Sequence, residues 1–577
     1  MKKEEIAAIL DEIHVLLELQ GENPFKVRAY QTAARALESL DKDLESIIEE
    51  KSLESIKGIG KALAEKIETL YHTGQLKYYD DLKASIEIGL IEMLEIPGLG
   101  PKKIKAIHDR LGITSIRELE IACNHGKIAL LEGFGEKTQE KILSGIKNKE
   151  LYRKRHLWWD ANEIIQPIIE GLKKLPQVKK VEAAGSLRRK LETVGDLDLL
   201  AAGEQPKPIM DWFIGRKEVI EILAHGETKS SVRLQGGIQA DLRVVPLKQF
   251  YFALHHFTGS KDHNVQMRSR ALGMGYSLSE WGLKLESREH ELSEVIVKSE
   301  AELFKKLNLS YIEPELREGM GEIEYAQKGD LPKLIEMGDI RGAFHTHTVA
   351  SDGRATLKEM VSGAEALGWE YLGIADHSKS SFQANGLNEE RLFQQVKDIK
   401  ELNQSKKYKA HVFSGIECDI LKDGSLDFEE EILKQLDYVV VSIHSGFGMN
   451  EEDMTKRMVK AIESPYVTML GHLTGRILLQ REGYAVNVAK VIDAAIANNV
   501  IIELNSNPKR LDMGWRYWHK ARDKGLKCSI NPDAHSVQNL AYYIAGVNVA
   551  RKGWLRKEDV INTCGLKEVK KYLRKGI

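Results

Sequence analysis

The sequence predicts a multidomain fold: a helical N-terminal region, an α+β domain on a small sheet, and a C-terminal β/α barrel. Three observations carry this reading. A Gly-apolar-Gly turn that opens a helix recurs before residue 150, strand-like runs bearing aspartates follow, and from residue 341 strand-like and helix-like segments alternate to the C-terminus. At 577 residues the chain exceeds what one core supports, and about three to five domains are expected.

The bulk composition sets limits. A formal net charge of -2 with 29% charged residues excludes a uniformly basic nucleic-acid coat and an acidic disordered chain, so any nucleic-acid binding has to be local. Cys123, Cys418, Cys528 and Cys564 are scattered, with neither a disulfide framework nor a CxxC knuckle, which suits a reducing cytoplasm. The N-terminal stretch "MKKEEIAAILDEIHVLLELQGENPF" is interrupted by charges throughout, and no apolar run approaches the length of a membrane span. A cytoplasmic chain with no membrane role is expected.

From residue 1 to about 150 the periodicity is helical, with Tyr30, Ala33, Ala34, Leu37 and Leu40 on one stripe. Within it stand "IKGIGKALAEKI", "IPGLGPKKIKAI" and "LEGFGEKTQEKI", which place Gly58 and Gly60, Gly98 and Gly100, and Gly133 and Gly135 before successive helices. One copy reads equally well as an ordinary helix-helix corner. Three copies, with Lys61, Lys102, Lys103 and Lys137 nearby, point to main-chain N–H groups that grip backbone phosphates. The motif resembles the helix-hairpin-helix, a DNA module indifferent to sequence. The expected division is 1–85, holding the first hairpin, and 86–150, holding the others.

Residues 151–245 change to short strands such as "GDLDLLAAG" and "IQADLRVVP". Alternation puts Asp196 and Asp198 on one face of a strand and Leu197 and Leu199 on the other, and Asp241 can join them from a second strand. A single Asp-x-Asp is commonly a surface pair capping a turn. Three carboxylates with no histidine or cysteine beside them suit two Mg²⁺ ions, which would neutralise the set and clamp the oxygens of a phosphoryl transfer. The loop from Gly185 and Ser186 to Arg188 and Arg189 is fitted to a triphosphate.

This arrangement resembles the nucleotidyltransferase superfamily, and "HHFTGSKDHNVQMRSRALGMGYSL" narrows the likeness to family X DNA polymerases over roughly residues 1 to 320. The resemblance implies a palm at 151–245 and a thumb at 246–320. By position, Asp196 and Asp198 would bridge both metals, and Asp241 would bind the catalytic one. Gly185, Ser186, Arg189 and Gly195 would hold the incoming dNTP, Phe257 and Gly259 would lie against its sugar, Asn264 would touch the nascent pair, and Arg268 would steady the template. His256 stands where better-known members carry Tyr. Lys66 matches the family's Schiff-base lysine, with a solvated phosphate contact as the plainer reading, and Lys26 and Tyr30 match its 5′-phosphate pocket.

A polar connector is expected at 321–340 and the barrel at 341–577. In the barrel, "GAFHTHTVASD", "YLGIADHS", "VFSGIECDI", "YVVVSIHS", "VTMLGHLTG" and "KCSINPDAHS" end apolar runs in ligand-type residues. One histidine at a strand end is ordinarily structural. His345, His347, Asp352, His377, Glu417, His444, His472, Asp533 and His535 all obey one positional rule, which would gather them at the C-terminal rim of the barrel. Mixed imidazole and carboxylate donors suit two or three Mn²⁺ or Zn²⁺ ions and phosphoester hydrolysis. These motifs resemble the polymerase and histidinol phosphatase (PHP) domain, a distorted seven-stranded barrel. The likeness implies that His345, His347, Glu417 and Asp533 share one metal and that Glu417 bridges. Arg476 reads as a phosphate contact or as a structural salt bridge.

The union implies a monomeric enzyme of DNA repair that fills short gaps in primed DNA and trims 3′ ends. Two alternatives stand beside it: a polymerase whose barrel only stiffens it, and a DNA-binding scaffold carrying a small-molecule phosphatase.

Overall fold

The computed structural model describes residues 1–577 apart from 2, 39–43, 57, 95, 97–98, 153–154, 286–293 and 574–577, so Leu40 and Gly98 lie outside the described residues. The chain forms two compact units, 1–153 and 154–577.

The first unit is helical. Its longer helices are Lys3–Gln20, Pro24–Glu38, Lys61–Thr73, Pro101–Leu111 and Gly135–Tyr152. Isolated helices of this length are marginal in water, so each depends on burying one face. Ile6, Leu10, Ile13 and Leu17 do so along the first, and Tyr30, Ala33, Ala34 and Leu37 along the second. The expected division at 85/86 does not separate two cores, because one apolar cluster runs from Ile6 to Ile146. Lys3–Gln20 packs on Pro101–Leu111 as well as on Pro24–Glu38.

In each Gly-apolar-Gly turn the middle residue enters that core. Ile59, Leu99 and Phe134 are 3%, 2% and 9% exposed, while the described glycines beside them stay at the surface. Gly58 has φ +100°, and a Cβ there would come within 2.6 Å of Thr32 Cγ2. Gly60 and Gly100 cap their helices in extended conformation with open space where a side chain would stand. The turn is thus pinned from inside and bare outside.

The second unit opens with a five-stranded sheet in the order Lys180–Ala183, Asp196–Ala202, Gln239–Val245, Lys229–Leu234, Val219–His225. Asp196–Ala202 and Gln239–Val245 are parallel neighbours and the other pairs are antiparallel. Leu197, Leu199, Ala240, Leu242 and Val232 point to one face, where helices Trp158–Lys173 and Pro206–Ile214 cover them. Helices Phe250–Thr258, Lys261–Gly273 and Glu300–Lys306, with the hairpin Tyr276–Ser279/Gly282–Leu285, follow around a separate core.

Residues 321–340, expected as a polar connector, are packed instead. Helix Glu322–Lys328 inserts Ile323 and Ala326 into the core of the preceding helices, where Leu334 and Trp554 also sit. Fully buried Glu322 accepts the N–H groups of Gly319 and Met320 and lies 2.9 Å from His263 Nδ1. Polarity misled here because the charges are either satisfied inside or confined to one face.

The remainder is a barrel of parallel strands: Gly342–Ala343, Tyr371–Ile374, His411–Ser414, Glu417–Asp419, Val440–Ser442, Met469–Leu470, Ile501–Asn505 and Cys528–Asn531. The third and fourth are halves of one strand interrupted at Gly415 and Ile416, so seven positions circle the axis. Single bridges, His377 to Glu417 and Thr346 to Ala534, join the two sheet segments. Phe344, Tyr371, Phe413, Tyr438 and Met469 belong to one buried cluster of the barrel. Gly373 and Gly415 make room for Tyr438: a Cβ on either would come within 2.5 Å of its side chain.

Two candidate metal centres

In the sheet, Asp198 stands directly opposite Asp241 in the parallel register, and Asp196 stands opposite Gln239. Partners in a parallel ladder point to the same side, so all three carboxylates share the face opposite the apolar layer. Burial, then the negative charges of Asp196 and Asp241, push the Asp198 carboxyl up to about 7. Burial and Asp241 likewise raise Asp196. Burial also acts on Asp241, but hydrogen bonds from Lys229, Gln239 and Ser231 outweigh it and hold this carboxyl below the usual range. Lys229 Nζ lies 2.7 Å from Asp241 Oδ2. One ammonium does not neutralise three carboxylates, and an all-oxygen donor set with surplus negative charge fits hard divalent cations.

That surplus has a measurable cost. Asp198, with its pKa raised above the unfolded value, contributes stability that is present below about pH 4 and lost as pH rises through about 7. Metal-free Asp198→Asn is therefore expected to be more stable than the parent at pH 8, by about 2 kcal/mol once partial solvation is allowed for, and equal to it near pH 4. Thermal melts in chelator at the two pH values check this.

Beside the carboxylates the short helical turn Gly185–Arg188 begins at Gly185. It has φ +58°, and a Cβ there would lie 2.1 Å from Asp198 Oδ2, so only glycine lets the turn approach. Ser186 and Gly195 flank the set, partly exposed. Arg189 departs from the expectation of a triphosphate ligand. Its guanidinium donates from Nε to Glu318 Oε1 at 2.9 Å and from Nη1 to the Thr258 carbonyl at 2.5 Å, and the side chain is 12% exposed. Arg188 is held in the same way by Thr258 Oγ1 and Glu300. Two carboxylates on the following domain, buried Glu300 and partly buried Glu318, invisible as partners in the sequence, draw both arginines in.

Gly259 packs against Arg189, whose Nη1 a Cβ would meet at 3.2 Å. Phe257 lies under the Arg243 guanidinium, 4.5 Å from the ring centre. Asn264 donates to the His256 carbonyl at 2.7 Å, leaving its Oδ1 without a partner, and Arg268 is exposed. Burial lowers the His256 imidazole. In the first unit, Tyr78 gathers Lys26, Tyr30 and Lys66: the two ammonium groups lie 5.9 and 5.1 Å from its ring, and Tyr30 stacks on it at 6.1 Å. Lys26 is also paired with Glu22 at 2.7 Å.

The second centre lies at the C-terminal rim of the barrel. His347, Asp352, His377 and His535 form one group whose ligand atoms lie within 4.8 Å of one another; His345, His347 and Asp533 form a second, and His377, Glu417 and His444 a third. His472 Nε2 joins through Glu417 Oε1 at 3.0 Å. Glu417 is 1% exposed and central. Its Oε1 faces His472 and His444 at 3.0 and 3.3 Å, and its Oε2 faces His377, His345 and His347 at 2.9, 3.3 and 3.7 Å. Each oxygen thus addresses a different set of imidazoles.

Burial opposes charge on every one of these histidines, yet the carboxylates Glu503, Glu417 and Asp533 hold His345 well above the ordinary imidazole value, and Glu417 with Asp352 does the same for His377. Ring nitrogens of His345, His347, His377 and His472 are buried without a hydrogen-bond partner. Buried polar atoms are rarely left so, and nitrogens converging beside carboxylates fit a transition-metal cluster.

Three residues around the rim escaped the sequence reading. Glu503 accepts from His345 Nδ1 at 2.7 Å, Asp419 from His444 Nδ1 at 2.5 Å, and Arg510 Nε lies 3.5 Å from Asp533 Oδ2. Carboxylates behind imidazoles fix tautomer and orientation. Alternation would have found two of them, since Asp419 shares a strand face with Glu417, and Glu503 sits between Ile501 and Asn505 on one face of "IIELN". Arg476 resolves as a salt bridge: it pairs with Glu192 at 2.5 Å.

A sheet with three clustered carboxylates next to a thumb-like domain, joined to a barrel with a histidine-carboxylate rim, defines a two-centre enzyme of phosphoryl transfer and phosphoester chemistry. Residues 1–76 match the helix-hairpin-helix domain family, 90–148 the SAM-like helix-hairpin-helix tandem, 253–318 the DNA polymerase beta thumb and 343–507 the PHP domain. The chain is 37% identical over 579 residues to the DNA polymerase/3′-5′ exonuclease PolX of Bacillus subtilis, covering 100% of both. Over 40% of its length it is 27% identical to a probable phosphatase of Thermoanaerobacter sp. and 28% identical to one of Clostridium acetobutylicum, covering 93% of each relative. The chain belongs to the PolX family, the family X DNA polymerases that carry a C-terminal PHP domain.

Proposed function

We propose that the chain fills short gaps in DNA during base-excision repair and removes 3′-terminal nucleotides with its barrel. The observation that carries the first activity is the register that sets Asp198 opposite Asp241 and two positions from Asp196 on one sheet face. Two Mg²⁺ ions held there would supply the positive charge that joins a dNTP to a primer 3′-hydroxyl. The protein's part is to hold the three carboxylates, to release the Asp198 proton when the ions enter, and to bring the Gly185 turn close without a side chain. Phe257 and Gly259 would bound the nucleotide sugar, and Arg189 would position the Gly259 turn. The surface glycines of the hairpins leave helix N-termini free to meet backbone phosphates, with Lys26 and Lys66 around Tyr78 as the cations for a 5′-phosphate.

For the barrel, a complete rim of nine donors supports hydrolysis over a purely stiffening role, and the hairpins favour DNA over a small phosphoester. Two or three Mn²⁺ or Zn²⁺ ions are the proposed occupants. Incubation with a one-nucleotide-gapped duplex, dNTP and Mg²⁺ tests the synthesis: extension that Asp196→Ala removes is expected, and extension that survives it would refute the site. Release of nucleotides from primed DNA in Mn²⁺, abolished by His345→Ala, is the matching result for the barrel.

A further inference from the structure

Helix Tyr543–Lys552 belongs to the barrel, far in sequence from the palm, yet it ends on a lysine that is only 1% exposed. A buried ammonium needs partners that match its charge and its three donors. Lys552 finds them outside the barrel. It donates to Glu318 Oε1, to the main-chain carbonyl of Arg189 at 3.1 Å, and to that of Glu315 at 3.3 Å. The ring of Trp515 covers it at 4.6 Å.

The oxygen of Glu318 that receives Lys552 also receives Arg189 Nε, and Arg189 continues to the Thr258 carbonyl beside Gly259. One carboxylate oxygen therefore ties three parts of the chain together. A second grip lies further along the palm, where Arg476 of the barrel pairs with Glu192, four residues before Asp196. The segment that runs from Gly185 to Asp196, through the helical turn Gly185–Arg188 and the strand Thr193–Val194, is held by the barrel at both Arg189 and Glu192.

We propose that Lys552 is a positioning residue of the polymerase centre: through Glu318 and the Arg189 main chain it fixes the end of the helical turn Gly185–Arg188 and the Gly259 turn, so that the hydrolytic barrel is a structural part of the nucleotide site. This rests on the polymerase reading above. Loss of the lysine leaves the three aspartates intact and loosens the turn that receives the nucleotide. The effect belongs chiefly on nucleotide binding, and the barrel rim is left alone.

The test uses the full chain. Steady-state gap filling by Lys552→Met, which keeps an unbranched apolar stem and removes the terminal ammonium, is expected to show KM for dNTP raised about tenfold with kcat within threefold. Mn²⁺-dependent nucleotide release should stay within twofold of the parent. Glu318→Gln, approached from the other partner, should give the same split if Lys552→Met fails to fold. An unchanged KM in the folded variants, or a fall in both activities together, overturns the proposal. Failure of the polymerase reading would instead appear in the parent chain, as extension insensitive to Asp196→Ala.

Discussion

Asp198→Asn is expected to lower dNTP incorporation by at least about a thousandfold, roughly 4 kcal/mol of barrier, while Mn²⁺-dependent release of nucleotides from primed DNA stays within twofold. The size of the effect follows from position. Asp198 lies between its two companions, opposite Asp241 on one side and in sequence with Asp196 on the other. Its charge is also the most compressed of the three, since burial and both neighbours oppose ionisation. Removing it relieves repulsion in the metal-free protein and at the same time divides the oxygen donors that two cations would share. The variant should thus be more stable and inactive. Gap-filling rates set beside melts in chelator decide, and a variant that retains a tenth of the parent rate rules out Asp198 as a shared ligand.

Glu417→Gln should abolish the barrel's hydrolysis to a similar extent and spare polymerisation. Glu417 faces five imidazoles, with its two oxygens directed to different sets. An amide of the same shape replaces one of those oxygens by a donor, which cannot bind a cation and repels protonated histidines. Bound metal per chain, measured after dialysis, should fall by at least one ion. Acid should act in the same direction on the parent, because the carboxylates hold His345 and His377 ready for protons and those protons compete with metal. Nuclease activity that persists in metal-depleted Glu417→Gln would remove the cluster from the mechanism.

Much of this was legible in the residues. The alternation in "GDLDLL" and "IQADLRVV" places carboxylates and leucines on opposite faces, and the structure puts them there. The strand-end histidines reach one rim because parallel β/α connectivity brings every C-terminal strand end to the same side. What stayed hidden involves partners distant in the chain. Arg188 and Arg189 read as free cations for phosphate, and only packing revealed Glu300 and Glu318 against them. Residues 321–340 read as a connector because their charges dominate the composition, while Ile323, Ala326 and Leu334 make the contacts.

Local periodicity and strand direction are enough to set the order of the domains, the face on which each carboxylate lies, and the donors available to each centre. Packing in three dimensions sets which donors touch, which arginines are already paired, and that Lys552 and Arg476 of the barrel reach the palm at Arg189 and Glu192. Those outcomes turn on contacts between residues tens to hundreds of positions apart, from His444 and Asp419 to Lys552 and Arg189, whose energies depend on distance and burial, and neither is written in any local stretch of the chain.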